Sequence, residues 1–357
     1  MPQETALLAT LDLCQAMQRT MRRSKGPSMK YRRLGNTGLR VSVIGVGTWQ
    51  LGGEWGQRFT QQEVDQLLGR ARELGANLID TAECYGDHLA EALIGGAIYQ
   101  QRDQWVVATK FGHQFYPEAL RQSGRSPVAL RTDHWTPTEV VAQLEASLRA
   151  LRTDHVDLYQ MHSGEAALLS RHDLWKTLNQ QVAKGKVGHL GVSLGGGDVD
   201  QVRRAAEVGA SVIQVGYNRL DRTAEQGVLA ACLEQNLGVI VREPLANGYL
   251  SGKYRPGAWV IASDDWRSGQ DPTEVQRKLE LVQEIDRTEV PEGVAVAAWA
   301  IAWCLQHPAV SCVVAGCKSV QQLEANAAAA DLDLVRGDHP RGNSSPIGED
   351  RDFEDCN

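Results

Sequence analysis

A single (β/α)8 barrel of the α/β class is the fold this sequence predicts, and three observations carry the prediction. Eight short β-branched or apolar runs recur between amphipathic stretches, the pattern of repeated βα units. A polar or glycine residue stands at or next to the carboxyl end of each run, where a closed barrel gathers its chemistry on one rim. The length of 357 residues suits either two average domains or one such barrel. A doubly wound sheet would alternate in the same way, and it is the rim residues that favour closure.

In chain order the runs are Val43–Val46, Ala76–Ile79, Trp105–Thr109, Val156–Met161, Gly188–Val192, Val212–Val215, Gly238–Val241 and Ser311–Val314. Gly47, Asp80, Lys110, His162, Ser193, Gln214, Arg242 and Gly316 are the corresponding rim residues. Ahead of them, Tyr31–Ser42 holds Asn36 to Gly38 between two short extended pieces, which predicts a hairpin closing the opposite mouth. Helix starts are marked by Thr60 with Glu63 and by Thr136 with Glu139, both spaced as capping boxes, the second with Pro137 at the first helical position. Val294 to Leu305 is apolar throughout but too short for a membrane span, so it reads as a buried helix.

Composition narrows the function. With 42% hydrophobic and 23% charged residues the chain can bury a large core, which excludes disorder throughout. A net charge of −7 without a long basic run argues against nucleic acid. Seven cysteines, an odd number with no CxxC pair, fit a reducing, cytoplasmic setting. The ends differ from the middle. Residues 1–28 place leucines before Arg19, Arg22, Arg23 and Lys25, the reverse of a secretory signal; they read as a disordered extension, a targeting segment or sequence upstream of a start at Met29. Residues 336–357 form a polar, acidic tail, leaving 29–335 as the barrel.

Among the rim residues, Asp80, Lys110 and His162 join Tyr85 as a carboxylate, an ammonium, an imidazole and a phenol, with no metal-ligand spacing. This is proton-donor equipment. A phenol is a poor acid near neutral pH unless an adjacent cation favours the phenolate, as Lys110 would, with Asp80 holding the lysine charged. His162 would present a ring N–H to a substrate oxygen while Tyr85 supplies the proton. Singly, each has a plainer explanation as a cap, a solvated charge or a core histidine; together at neighbouring strand ends they read as a catalytic set.

A second group, Ser193, Gln214, Gly316, Lys318, Ser319, Gln322 and Asn326, looks like a nucleotide site. Gly316 permits close approach of a phosphate, Lys318 adds charge, and a helix starting near Ser319 offers free N–H groups. Ser319 with Gln322 also spells a capping box that needs no ligand. Gly45-Val46-Gly47 is too short a match to a dinucleotide fingerprint.

The runs Asp80-Thr-Ala-Glu-Cys-Tyr85-Gly, Ala108-Thr-Lys110-Phe-Gly, Asp157-Leu-Tyr-Gln-Met-His162, Gly191-Val-Ser193 and Ala315-Gly-Cys-Lys318-Ser resemble, in that order, those of the aldo-keto reductases. The resemblance spans about Met29 to Leu332. It implies reduction of aldehydes or ketones to alcohols with NADPH in preference to NADH, with Tyr85 as general acid assisted by Asp80, Lys110 and His162. It further implies that Ser193 and Gln214 hold the nicotinamide carboxamide and that Lys318, Ser319, Gln322 and Asn326 surround the adenosine 2′-phosphate and adenine. Gly47, Thr48, Asp80, Arg242, Pro244, Leu245 and Gly316 complete the expected cofactor site. The expected carbonyl pocket comprises Trp49, Tyr85 and His162, with Trp55, Tyr116, Trp135, Tyr249 and Trp259 as further lining. No metal is expected.

Three departures stand out. Arg242 replaces the aromatic residue that many members stack under the nicotinamide, Ser163 stands where some carry tryptophan, and Ala325 replaces a glutamate before Asn326. Two other readings share the fold or the residues: a nucleotide-binding regulatory subunit resembling the potassium-channel β subunits, and a Schiff-base aldolase using Lys110, which a charged lysine paired with Asp80 disfavours. A small-molecule carbonyl substrate is the expected partner; the oligomeric state is left open.

Overall fold

Every predicted run forms a parallel strand of one closed barrel in a computed structural model that describes residues 29–115, 131–195, 197–332 and 334. Two short strands, β1 (Tyr31–Arg33) and β2 (Arg40–Ser42), pair antiparallel ahead of it. The barrel strands are β3 (Ile44–Gly47), β4 (Leu78–Asp80), β5 (Val106–Phe111), β8 (Val156–His162), β9 (Val187–Ser193), β10 (Ala210–Gly216), β11 (Gly238–Arg242) and β12 (Cys312–Gly316). They follow one another around the ring in chain order, and β12 closes onto β3 with Gly316 level with Gly47. An unforeseen pair, β6 (His113–Phe115) and β7 (Arg131–Asp133), pairs antiparallel next to the carboxyl end of β5. Residues 1–28 and 336–357, the predicted extension and tail, and Tyr116 lie outside the described residues.

Strand alternation sorts the core into two layers. Leu78, Val106, Ala108, Leu158, Val212, Ile240, Cys312 and Val314 form a buried cluster with Leu34 and Val41 of the hairpin. Their neighbours Ile79, Val107, Tyr159, Ile213, Val239, Val241 and Val313 belong to the larger cluster shared with the helices. The hairpin thus fills the amino-terminal mouth, as predicted. Its turn fits because both contacting positions are glycine: a Cβ on Gly35 would sit 2.1 Å from the Gly238 nitrogen.

The outer helices follow the strands. In α1 (Gln61–Glu73) and α3 (Pro137–Leu151) the two predicted capping boxes form with both reciprocal hydrogen bonds. Between them lies α2 (Leu89–Ile98), and beyond them α4 (His172–Ala183), α5 (Val199–Glu207) and α6 (Val228–Glu234). A long connection after β11 leads to α7 (Pro272–Thr288) and to α8 (Val296–Leu305), the apolar segment, which is mostly buried as predicted. The last helix, α9 (Val320–Ala328), starts at Ser319. Among the described residues no helix is long and apolar enough to cross a membrane.

Candidate active site

Continuing the inner face by two residues converts apolar core into chemistry. Leu78 leads to Asp80, Ala108 to Lys110, Leu158 to Gln160 and His162, Val212 to Gln214, Ile240 to Arg242 and Val314 to Gly316. Register keeps them level: Gly47 opposes Asp80, Lys110 opposes Gln160, and Ser193 opposes both His162 and Gln214. The predicted rim is therefore one surface.

At its centre Lys110 is fully buried and donates to Asp80 Oδ2 at 2.8 Å, to the Thr81 carbonyl at 2.8 Å and to the Tyr85 hydroxyl at 3.2 Å. The other Asp80 oxygen accepts from Gln214 at 2.7 Å and Gln160 at 3.2 Å. Sequence reasoning passed over Gln160, although its place two residues before His162 puts it on the same face. Burial alone would discharge Lys110, but Asp80 and Tyr85 outweigh it and hold the ammonium above its ordinary value. For Tyr85 the balance goes the other way: burial pushes the phenol well up, and Lys110 offsets only part of this. Lys110 thus favours the phenolate, as expected, but burial outweighs it and the phenol stays protonated.

Tyr85 is set by a close backbone approach. A Cβ on Gly86 would lie 2.5 Å from the Gly52 carbonyl oxygen, and the Gly86 N–H donates to Glu54 at 2.7 Å. Only glycine admits this contact, which ties the turn carrying Tyr85 to the loop carrying Trp49 and Trp55. His162 faces Tyr85 with ring centroids 6.0 Å apart, and its Nδ1 lies 3.5 Å from Cys84 Sγ. Behind it the buried Glu83 accepts from the His113 backbone at 2.9 Å.

Trp49 lies 6.2 Å from Tyr85 and stacks on Trp266 at 5.4 Å, with Trp55 edge-on to both tryptophans. Trp266 belongs to the long connection after β11, which bridges Trp55 through Asp265. Nothing in its local sequence distinguished it. Trp135 packs on Phe111 and His113. Tyr249 and Trp259 stack on each other at 4.7 Å, with the Arg267 guanidinium over Trp259; these two brace the connection and are not among the rings against Tyr85.

The predicted nucleotide residues lie on the adjoining arc. Ser193 is buried and its hydroxyl has no hydrogen-bond partner; the Arg242 Nε is likewise buried and unpartnered, while its Nη2 donates to the Leu194 carbonyl at 3.0 Å. Thr48 donates to the Asp80 carbonyl at 2.8 Å. Pro244 and Leu245 follow Arg242 in a turn whose Glu243, Ala246 and Asn247 all have positive φ. At α9, Ser319 accepts from the Gln322 N–H, but the Gln322 side chain turns to the Lys318 N–H at 2.8 Å, so the box is only half formed. Asn326 is buried and donates to the Gly316 carbonyl. The Lys318 ammonium rests on the Trp55 carbonyl at 2.6 Å and near Asp265 at 3.9 Å. Burial lowers its proton affinity despite Asp265. Ser163, at positive φ, leaves its buried hydroxyl unpartnered beside His162.

A barrel with this order of motifs and this buried Asp80–Lys110–Tyr85 chain agrees with the sequence comparison: residues 43–344 match the Aldo/keto reductase family. The chain belongs to that family. As an aldo-keto reductase it is an oxidoreductase whose family works with a nicotinamide cofactor. It is 28% identical to the NADH-specific methylglyoxal reductase of Escherichia coli over 87% of this chain and 96% of that protein. A probable voltage-gated potassium channel subunit beta of Arabidopsis thaliana is 29% identical over 85% of this chain and 92% of its own. Among solved structures, the glycerol dehydrogenase AKR11B4 of Gluconobacter oxydans superposes with a TM-score of 0.73 at 26% identity, covering 85% of this chain and 91% of that one.

Proposed function

We propose that this aldo-keto reductase converts the carbonyl of a small aldehyde or ketone to an alcohol with NADPH, in the cytoplasm. The observation that carries the reading is the buried line from Asp80 through Lys110 to the Tyr85 hydroxyl, because it delivers a protonated phenol, oriented by a cation, to the open end of the barrel. NADPH supplies hydride to the carbonyl carbon when bound. Tyr85 passes its proton to the carbonyl oxygen, and Lys110 stabilises the phenolate left behind. Asp80 keeps Lys110 charged and aimed, while His162 orients the substrate oxygen. Trp49 gives the substrate an apolar wall.

The residues on the adjoining arc fit the cofactor. The unpartnered Ser193 hydroxyl is an orphan that a carboxamide would satisfy, and Gln214 lies beside it, its amide nitrogen already given to Asp80. Arg242 offers a flat guanidinium in place of a stacking ring. Gly316, Lys318, Ser319, Gln322 and Asn326 surround the start of α9, where a phosphate meets free N–H groups. Preference for NADPH rests on Lys318, which would leave the Trp55 carbonyl for the 2′-phosphate. None of the five described cysteines is in a disulfide, which supports the cytoplasmic assignment.

The regulatory-subunit reading shares the fold and is supported by relatives named as potassium channel β subunits, but needs no intact proton donor. An aldehyde and ketone panel with NADPH and NADH consumption separates the two: turnover supports the reductase, and cofactor capture without turnover on any carbonyl overturns it.

A further inference from the structure

Three buried side chains of different chemistry converge behind His162. Cys84 Sγ, a His162 ring nitrogen and a Glu83 carboxylate oxygen all lie within 4.8 Å of one another. None of the proton-transfer steps above uses Cys84 or Glu83. The trio holds a second and independent sign of an absent ligand: Glu83 is 2% exposed, and while its Oε1 accepts the His113 N–H, its Oε2 is buried with no hydrogen-bond partner. Close by, the His113 ring stands 5.0 Å from that of His162, and its Nε2 is also buried and unpartnered. Orphaned buried polar atoms of this kind are costly unless something satisfies them.

We propose that Cys84, His162 and Glu83 form a binding site for a thiophilic divalent cation of the zinc class, and that its occupation suppresses carbonyl reduction. The ligand types are those such a cation selects, one sulfur, one imidazole and one carboxylate. Their spacing fits as well. Metal–nitrogen bonds of about 2.0 Å and metal–sulfur bonds of about 2.3 Å at a tetrahedral angle put the two ligand atoms about 3.5 Å apart, and Cys84 Sγ and His162 Nδ1 are 3.5 Å apart. Charge balances too, since a thiolate and a carboxylate neutralise a dication in a buried setting where an isolated ion would be expelled. Binding takes the proton from the Cys84 thiol and releases it to solvent, with no change of oxidation state. The His162 ring, fixed through Nδ1, can no longer tilt to follow a substrate oxygen, which is how the metal would reach turnover. That second half rests on the reductase reading; the binding half does not.

The test uses the full chain with Cys14→Ser and Cys356→Ser as the parent, titrated with cobalt(II) as the spectroscopic probe. One equivalent should produce a near-ultraviolet thiolate-to-cobalt charge-transfer band, and zinc should displace it. Cys84→Ala should weaken cobalt binding by about 100-fold or more and Glu83→Gln by about 10-fold. Zinc should inhibit the parent with the midpoint of its binding and leave Cys84→Ala uninhibited. Absence of the band, or a band that persists in Cys84→Ala, overturns the site. Should the alanine variant misfold, X-ray absorption on the zinc-loaded parent decides: sulfur and imidazole scatterers support the site, and a shell without sulfur overturns it. Zinc bound without any effect on measurable turnover overturns the suppression alone, and a parent with no activity on any carbonyl overturns the reductase reading and the suppression with it, while the cobalt band still supports or overturns the site.

Discussion

Lys110 and Asp80 form an ion pair at 2.8 Å whose side chains are 1% and 5% exposed. The two charges are not equivalent: without Asp80 the ammonium keeps the Thr81 carbonyl and the Tyr85 hydroxyl as acceptors, whereas the other partners of Asp80, Gln160 and Gln214, are neutral. Asp80→Asn keeps the shape and one acceptor oxygen, which can still serve Gln160 and Gln214 at the loss of the bond from Lys110, whereas Lys110→Met leaves a carboxylate buried without its cation, which costs about 3–5 kcal/mol. Lys110→Met should therefore lose both turnover and thermal stability, and Asp80→Asn should lose turnover more mildly. Thermal melts alongside steady-state kinetics check this; equal stability in the two variants would contradict it.

Tyr85→Phe keeps the ring against Trp49 and His162 but removes the proton. Aldehyde reduction should fall by about 100-fold or more, while fluorescence-detected cofactor binding persists. Near-parental turnover would remove Tyr85 as the acid.

The Ser193 hydroxyl has no partner within the protein, so Ser193→Ala should leave the melting temperature almost unchanged and yet weaken cofactor binding by about 1 kcal/mol, roughly five-fold. A large loss of stability with unchanged cofactor affinity would mean that the hydroxyl serves the fold.

Lys318→Ala should raise the dissociation constant for NADPH more than that for NADH, because only the former carries the phosphate that a cation at this position would meet. Equal weakening of the two would assign Lys318 to its contact with the Trp55 carbonyl alone.

One pH effect follows from a pair outside the site. Burial works against charge on His88, but Glu91, 2.5 Å away and fully buried, outweighs it and holds the imidazole above its ordinary value. A raised histidine stabilises the fold below the unfolded value of about 6.5, and that contribution is lost as pH rises through the folded value. His88→Asn, which tolerates the left-handed backbone at this position, should therefore cost more stability at pH 5.5 than at pH 9, measured by denaturant unfolding. A cost independent of pH would count against the ion pair.

Legibility in the sequence followed how local the deciding force was. All eight strands were readable because apolar runs alternate with polar rims, and the two Thr–Glu capping boxes were readable because each closes within four residues. By contrast, α2 starts at His88 in a left-handed conformation without a side-chain cap, so no N-cap signal marked it. Trp266 reaches Trp49 across more than half the chain, and no periodicity encodes such a contact. Asp80, Tyr85, Lys110 and His162 were legible as motifs. Their supports Gln160, Glu54 and Glu83 required the register of the strands and the packing of the loops. Lys318 stood out through its motif, but the hold of the Trp55 carbonyl on its ammonium depends on a neighbour 263 residues away.

The hairpin that plugs the barrel has a consequence for how the chain is made. Arg32, near its start, donates to the carbonyls of Leu305 and Val310 at 2.9 and 2.6 Å across 273 and 278 residues, and β3 pairs only with β4 until β12 exists. A ribosome must therefore release the chain through β12 before the first residues of the barrel find their last partners. Until then β3 presents an unpaired edge. Nascent chains stalled before Cys312 should be the aggregation-prone and chaperone-dependent species, and the barrel commits to its fold only once β12 has emerged.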